Sequence, residues 1–514
     1  MNRGLVRTLL IVLALGATVR AADPAGRSAW VWVNEQGRLS YRADEQGNTI
    51  PDFSHCGYAG GEKAIPDVPT RLTLQPTPAG DDTARIQQAI DDVSKLPAAD
   101  DGFRGAVLLA RGNYRVDGTL AIRAGGVVLR GEGDDDAGTV VRATGPTTRP
   151  LVRIGAGGPV ERIAASRVAV TDDYVPVGAR TMRVSDASGF AVGDGVVVAR
   201  AGNAEWISAI GMDRIPPRAN PGEPVRQWTP FELRFDRVIT AIDGNAITVD
   251  APIACAIEQR WGGGSVTKVR DARISDAGVE DLLAISDFDP SITATHDGRP
   301  YASDERHAEY LVHFEDVKNA WTRRVTARHF AHGVALIGRN AKWVSVVDAK
   351  SLEPVSEIRG GRRYPFHVLG QLALVQRCFS DGARHAFVFS SQVCGPNAFV
   401  RCRSQRDYST SEPHHRWSVG GLYDNVEARL AIQDRGNLGT GHGWAGANYV
   451  VWNSRGSLVL QRPPTANNWA IGFVGERAAP FFEGRDEGTW DSFGVPVVPV
   501  SLFESQRAER APRR

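Results

Sequence analysis

Asp82-Thr83-Ala84-Arg85-Ile86-Gln87-Gln88-Ala89-Ile90 opens the stretch that decides the fold. Ala106-Val107-Leu108-Leu109, Gly112-Asn113-Tyr114, Thr119-Leu120-Ala121-Ile122 and Gly126-Val127-Val128-Leu129-Arg130-Gly131-Glu132-Gly133 complete it. In the first segment Ile86, Ala89, Ile90 and Val93 recur at helical spacing behind Asp82, which suits an N-cap, and Pro97 ends the pattern. In the others the period drops to two, with glycines at the corners and no helix between. That pattern predicts an all-β solenoid entered beneath one short capping helix.

A solenoid implies a repeat. Trp321-Thr322-Arg323-Arg324-Val325 is followed 22 residues on by Trp343-Val344-Ser345-Val346-Val347. Leu374-Val375-Gln376-Arg377-Cys378 is followed by Phe399-Val400-Arg401-Cys402, with the two Cys 24 apart. Steps of 22 to 25 suit one β-helix rung, and the longer step before Leu374 predicts a bulging loop near Pro354–Pro365. Lys318 and Lys342, each beside a strand signal, read as solvated edge residues.

The rhythm also sets the domain boundaries. Residues 1–21 read as a signal peptide: Arg3 and Arg7, the apolar run Leu9–Val19, then Val19-Arg20-Ala21 as a cleavage pattern. The chain is therefore expected to be secreted or periplasmic, with no membrane span once matured. Residues 22–80 form an irregular lead-in, and 81–514 the β-helix. A small β module is inserted at about 166–262, with a hairpin turn at Asp243-Gly244-Asn245. A second polar insertion covers about 287–309, and the tail from Ser505 reads as frayed.

The helix D-T-x-x-I-Q-x-A-I, then V-L-L-A-R-G-x-Y, L-x-I and V-V-L-R-G-E-G, resembles the opening of the pectate-lyase-like superfamily. The lead-in Asp52-Phe53-Ser54-His55-Cys56-Gly57-Tyr58-Ala59-Gly60-Gly61 is similar to that of secreted members. The resemblance covers about residues 50–145. It implies a right-handed parallel β-helix capped by the helix, and a carbohydrate-active protein of unspecified reaction.

Composition narrows the partners. The 514 residues carry 60 basic and 59 acidic groups, and loss of residues 1–21 leaves about −2, so nothing suggests nucleic acid. The five Cys contain no C-x-x-C pair, which speaks against a zinc ribbon, and buried thiols are the favoured reading over a Cys378–Cys402 disulfide. No nucleotide fingerprint occurs. Asp134-Asp135-Asp136 is an acidic run able to offer calcium ligands, but no spaced calcium loop accompanies it.

Candidate chemistry concentrates in 381–448. Breaking a uronic-acid polymer by β-elimination requires a partner for the carboxylate, a base for the C5 proton and an acid for the leaving oxygen. Arg384, Arg416 and Arg435 suit the first role through bidentate contact. His385, His415 and His442, spaced by 30 and 27 residues, suit proton transfer from one side of the solenoid. The expected roles are His415 as base, His442 or Tyr423 as acid, and Arg416 with Arg384 on the carboxylate. His414, Trp417, Trp444, Arg435, Asn437 and Asn448 are the expected substrate contacts. The polysaccharide is the expected partner, with no certain cofactor.

Two other readings stand beside the lyase. A glycoside hydrolase on the same scaffold would use Asp424 or Asp434. Gly441-His442-Gly443 is similar to a polygalacturonase triplet, but the accompanying acidic motifs are missing. Glu412-Pro413-His414-His415 only vaguely resembles the Asp-Pro-His-Asp of mannuronan epimerases. A non-catalytic carbohydrate-binding surface protein is the alternative from another class.

Overall fold

The computed structural model describes residues 26–219 and 224–510. Residues 1–21, where a signal peptide is expected, lie outside the described residues, and so do the last four. The chain winds into a right-handed parallel β-helix. One face stacks Leu120–Ile122, Val152–Ile154, Tyr310–Phe314, Gly333–Ile337, Phe366–Val368 and Phe387–Phe389, all parallel. The other two faces are formed by long bent strands such as Val317–Arg328 and Lys342–Leu352, which split in later rungs into pairs such as Leu374–Gln376 and Phe379–Asp381.

Alternation sends every second side chain into a lumen filled by Val107, Leu129, Val325, Val346, Phe366, Phe387 and Val451 among others. Helix α1, Thr83–Lys95, turns Ile86, Ala89, Ile90 and Val93 onto the first rung. Asp82 occupies the N-cap position, but its carboxylate takes Thr77 Oγ1, Arg85 and the Arg115 amide, while Asp81 accepts from the Thr83 amide. Cys378 and Cys402 stack in the lumen, and all five Cys are buried free thiols.

The register corrects one pairing. Trp321 lies opposite Ser345, so Trp321 and Trp343 do not stack; the rung step here is 24, as it is between Leu374 and Ala398. One corner of each rung needs a left-handed residue. Asp281, Arg324, Asp348, Arg377, Arg401, Asn425 and Asn453 supply it in succession, at φ between 45° and 60°. Most are not glycine or asparagine, and each such residue costs about 1–2 kcal/mol there. Exposed ion pairs along the ladder, Arg377 to Asp348 at 2.7 and 2.8 Å and Arg401 to Glu504 at 2.8 and 2.6 Å, offset part of that.

Between the rungs of Ile154 and Ile274 the chain leaves the solenoid as an antiparallel sheet. Its main strands are Gly195–Gly202, Phe231–Asp243, Ala246–Val249 and Gly264–Arg270, and Asp243 pairs with Ala246 across a two-residue turn. The module shares one apolar core with Trp417, Val419, Trp444 and Ala447 of the solenoid. The short helix α2, Ala204–Ala209, presents Trp206 edge-on to Trp417 at 4.9 Å between ring centres. Beneath the module Asp236 is buried between Arg273, at 2.8 Å, and Lys342, at 2.9 Å. Lys342 is thus no solvated edge residue: a fixed carboxylate partner is what allows an ammonium to stay buried. Lys318 is partly exposed and pairs with Asp271 at 3.0 Å.

The end of the chain is not frayed up to Arg510. Helix α3, Leu502–Arg510, buries Leu502 and Phe503 against Val400, Leu422 and Trp452. Gln506 binds the Phe53 amide and Pro51 carbonyl, and Arg510 donates to the carbonyls of Ser54 and Gly60. The lead-in strand that begins at Gly26 pairs with Val497. Tail and lead-in therefore clamp one flank of the solenoid.

Candidate functional site

The strand Phe387–Phe389 and the segments that follow it bring a dense imidazole cluster to one side of the solenoid. His385 and His414 have ring centres 5.0 Å apart, His414 and His442 5.1 Å, and His415 and His442 4.9 Å. The left-handed pair Arg416 and Trp417, both at φ 57°, turns the chain so that His415 and Arg416 stay half-buried while Trp417 enters the module core.

Glu412 anchors the cluster. Its buried carboxylate accepts from Arg435 at 2.9 Å and from Thr410 Oγ1 at 2.8 Å, with His414 Nδ1 at 3.0 Å and His385 Nδ1 at 3.4 Å. Arg435 also donates to the His414 carbonyl at 2.7 Å. His414 Nε2 lies 3.2 Å from the Tyr364 hydroxyl, which also accepts from Arg384 at 3.2 Å. Arg416 donates to the Thr440 carbonyl at 3.1 Å, close to the loop that carries His442.

The electrostatics follow from this packing. Burial, then the guanidinium of Arg435, pushes His414 well below the usual imidazole range. Burial, Arg435 and Arg416 bring His415 down to about 4. Burial, Arg435 and His415 bring His442 down to about 2. All three rings are neutral at neutral pH. The Nδ1 atoms of His415 and His442 have no hydrogen-bond partner. Burial raises the Tyr364 phenol to about 12, so it holds its proton.

Of the residues singled out in the sequence, Arg384, His385, His414, His415, Arg416, Arg435 and His442 come together. Four do not. Tyr423 is buried in the lumen, stacked on Phe399 at 5.5 Å and donating to the Phe387 carbonyl at 3.1 Å, so it is no surface acid. Trp417 and Trp444 belong to the module core, Trp444 donating to the Ile210 carbonyl, and neither offers a sugar platform. Asn448 is buried and donates to the Ala254 carbonyl at 3.0 Å. Asn437 reaches across to the Pro217 carbonyl of the module at 3.0 Å. His385 is fully buried and bonds the Thr410 carbonyl, which makes it a support for its neighbours.

The hydrolase carboxylates are also committed. Asp424 is buried beneath α3, taking Ser501 Oγ at 2.7 Å and the Phe503 amide at 2.8 Å. Asp434 is buried in an ion pair with Arg485 at 2.8 Å.

Sequence reading passed over Tyr364, His332, His367 and Tyr310. Tyr310 stacks on His332 at 4.7 Å, and its hydroxyl lies 3.3 Å from His367 Nδ1; Tyr364 touches His332, His367, His385 and His414. The available signal was Tyr364 standing 21 residues before His385, one rung step, in a segment read as loop. Upstream along the same row a cavity of about 300 Å³ is lined by Glu305, Glu309, His332 and Arg362. Toward the module, Arg339 and Gln392 border a larger cleft of about 610 Å³, whose other wall includes Arg162, Phe231 and Arg234. The charge of Arg339 also lowers His415, so cleft and cluster adjoin.

Among the described residues His385, Glu412 and His414 alone group three donors closely enough for a metal ion. The Arg435 guanidinium already bonds the Glu412 oxygen and the ring of His414, where a cation would stand. Two imidazoles and one carboxylate are also unlike the all-oxygen shell that calcium takes. The residues do not fit a calcium site here.

No family model and no curated protein matches this chain. Solved β-helix structures resemble it distantly. The Gp54 tailspike of Acinetobacter baumannii bacteriophage AP22, in complex with a capsular saccharide, is 12% identical with a TM-score of 0.41. That match covers 79% of this chain, which spans 57% of the tailspike chain. A tailspike double mutant of E. coli bacteriophage HK620 is 9% identical with a TM-score of 0.39, covering 92% of this chain and 69% of that one. DFA-IIIase from Arthrobacter chlorophenolicus A6 is 10% identical with a TM-score of 0.33, covering 80% and 73%. Such likenesses concern the course of the backbone alone.

Proposed function

We propose that this chain is a secreted, pectate-lyase-like enzyme that binds an acidic polysaccharide across the His–Arg–Tyr cluster and cleaves it by β-elimination. The observation that carries the reading is a pair of neutral imidazoles, His415 and His442, with partnerless Nδ1 atoms beside the guanidinium of Arg416. A uronate carboxylate held by Arg416 and Arg384 loses its repulsion of a carbanion at C5, which acidifies the C5 proton. The same contact neutralises the positive field that suppresses His415, so the base strengthens once substrate is bound. His415 takes the C5 proton. Electrons of that C–H bond form the C4–C5 double bond as the C4–O bond breaks.

The leaving oxygen needs a proton. His442 is too weakly basic to hold one at neutral pH, and Tyr423 is enclosed in the lumen. Tyr364 takes the acid role, its phenol positioned by Arg384 and His414. The test is incubation of the mature chain with uronic-acid polysaccharides, following ultraviolet absorbance of unsaturated ends and reducing ends together. Rising absorbance that disappears with His415→Ala supports the lyase. Reducing ends without absorbance overturn it.

One observation favours hydrolysis as a second reading. Glu305 and Glu309 line one cavity in different states: Arg362 holds Glu305 below the usual carboxylate range, while burial raises Glu309. A divergent carboxyl pair is what acid–base hydrolysis uses. Glu309→Gln then abolishes turnover and His415→Ala spares it.

A further inference from the structure

We propose a second saccharide site, for a neutral sugar unit, in the cleft of about 600 Å³ between the lead-in, the module and the last rungs. Trp30 and Asn48 come from the lead-in, Tyr174 from the module, and Asn467, Trp469 and Thr489 from the solenoid. The cleft exists only because segments hundreds of residues apart converge, and it is separate from the histidine cluster.

Two wall residues carry buried polar atoms without partners: the Nε1 donor of Trp469, a residue 2% exposed, and the Oδ1 acceptor of Asn467. Leaving such atoms unpaired is costly, so a matched donor and acceptor in one cleft point to a ligand that both gives and takes hydrogen bonds. Their neighbours hold them in place. Asn467 Nδ2 donates to Thr489 Oγ1 at 2.8 Å, and the Tyr174 hydroxyl donates to Asn48 Oδ1 at 2.8 Å. Trp30 stands edge-on to Trp469 at 5.7 Å and remains partly exposed.

The charges set the ligand class. Arg462 at the rim is paired with Asp486 at 2.8 Å. Asp44 is occupied by the amides of Gln46 and Asn48 and by the Asn48 side chain. Among the described residues that line the cleft no cation is left without a carboxylate partner, in contrast to the Arg-rich cluster, so a uronate gains little here. Aromatic walls with amide and indole groups suit the apolar faces and hydroxyls of an uncharged pyranose. A volume of about 600 Å³ is ordinary for a small-ligand pocket.

The test is affinity electrophoresis of the full chain in gels containing galactan, xylan, dextran or, as the acidic control, polygalacturonate. At least one neutral polymer is expected to retard the protein. Asn467→Ala combined with Tyr174→Phe is expected to weaken that retardation about tenfold, and His415→Ala to leave it unchanged. Should the double variant fail to fold, Gln46→Trp places bulk at the exposed rim and is expected to block the same retardation. The proposal is overturned if no neutral polymer retards the chain, if retardation survives the cleft variants, or if His415→Ala removes it. The lyase reading stands or falls separately, on the absorbance assay.

Discussion

The hydroxyl of Tyr364 lies 3.2 Å from Nε2 of His414, fifty residues further along the chain. Arg384 touches the same hydroxyl. This contact joins two rungs of the solenoid and ties the proton-holding group of the cluster to its imidazoles. Tyr364→Phe is therefore expected to lower kcat by about 10²–10⁴-fold, the range of a general acid, and to lower the melting temperature as well, since the hydroxyl's partners are left unpaired. Tyr423→Phe removes a lumen hydroxyl and is expected to cost stability while leaving kcat intact. Steady-state kinetics and thermal unfolding of both variants separate the roles.

The pH profile has a defined direction. His415 acts as a base only when neutral, and in the free protein it is neutral above about 4. The acid limb of kcat/KM, which reports the free enzyme, is expected near pH 4 instead of the usual imidazole value. Arg416 is one of the charges that lowers both His415 and His442. Arg416→Ala is expected to move the limb toward neutrality while also weakening substrate binding. A limb that stays in place would remove His415 from the base role.

How much of this was legible in the sequence depends on what the pattern encoded. The capping helix and the rung step at Cys378 and Cys402 were readable because period and spacing are local. The Trp321–Trp343 pairing failed because a repeated residue type is weaker than backbone register, which sets Trp321 opposite Ser345. Trp417 and Trp444 were misread because their environment is the inserted module, more than 150 residues upstream. The basic cluster itself was visible as a density of His and Arg. Tyr364 was not, since it lies two residues before the strand Phe366–Val368, at the end of a loop of irregular length.

Buried neutral histidines also bear on stability. His332, His367, His385, His414, His415 and His442 are all depressed, with burial the leading cause in each. The unfolded chain protonates them near their ordinary value of about 6.5, whereas the folded chain does not. Their contribution is therefore fully present above about pH 6.5 and is lost as pH falls toward the depressed values, at up to about 1.4 kcal/mol per pH unit for each ring. Urea unfolding at a series of pH values is expected to show stability falling steeply below about pH 6.5. Replacing His367 with Asn is expected to flatten that slope by one proton.

Asp236 sits on the seam between module and solenoid. Its carboxylate is held below the ordinary range, against the cost of burial, by Lys342 and Arg273. Arg273 has a second partner in Asp271 at 2.8 Å, but Lys342 has no other ion pair among the described residues. Asp236→Ala therefore strands a buried ammonium and is expected to cost about 3–5 kcal/mol. Lys342→Met leaves Asp236 with Arg273 and is expected to cost less. The double variant removes both ends of the pair and is expected to recover part of the loss, so the two substitutions are non-additive in urea unfolding. If Asp236→Ala and Lys342→Met instead add without coupling, the pair does not fasten the module to the rung of Lys342, and the apolar contact of Trp206 with Trp417 holds that seam without it.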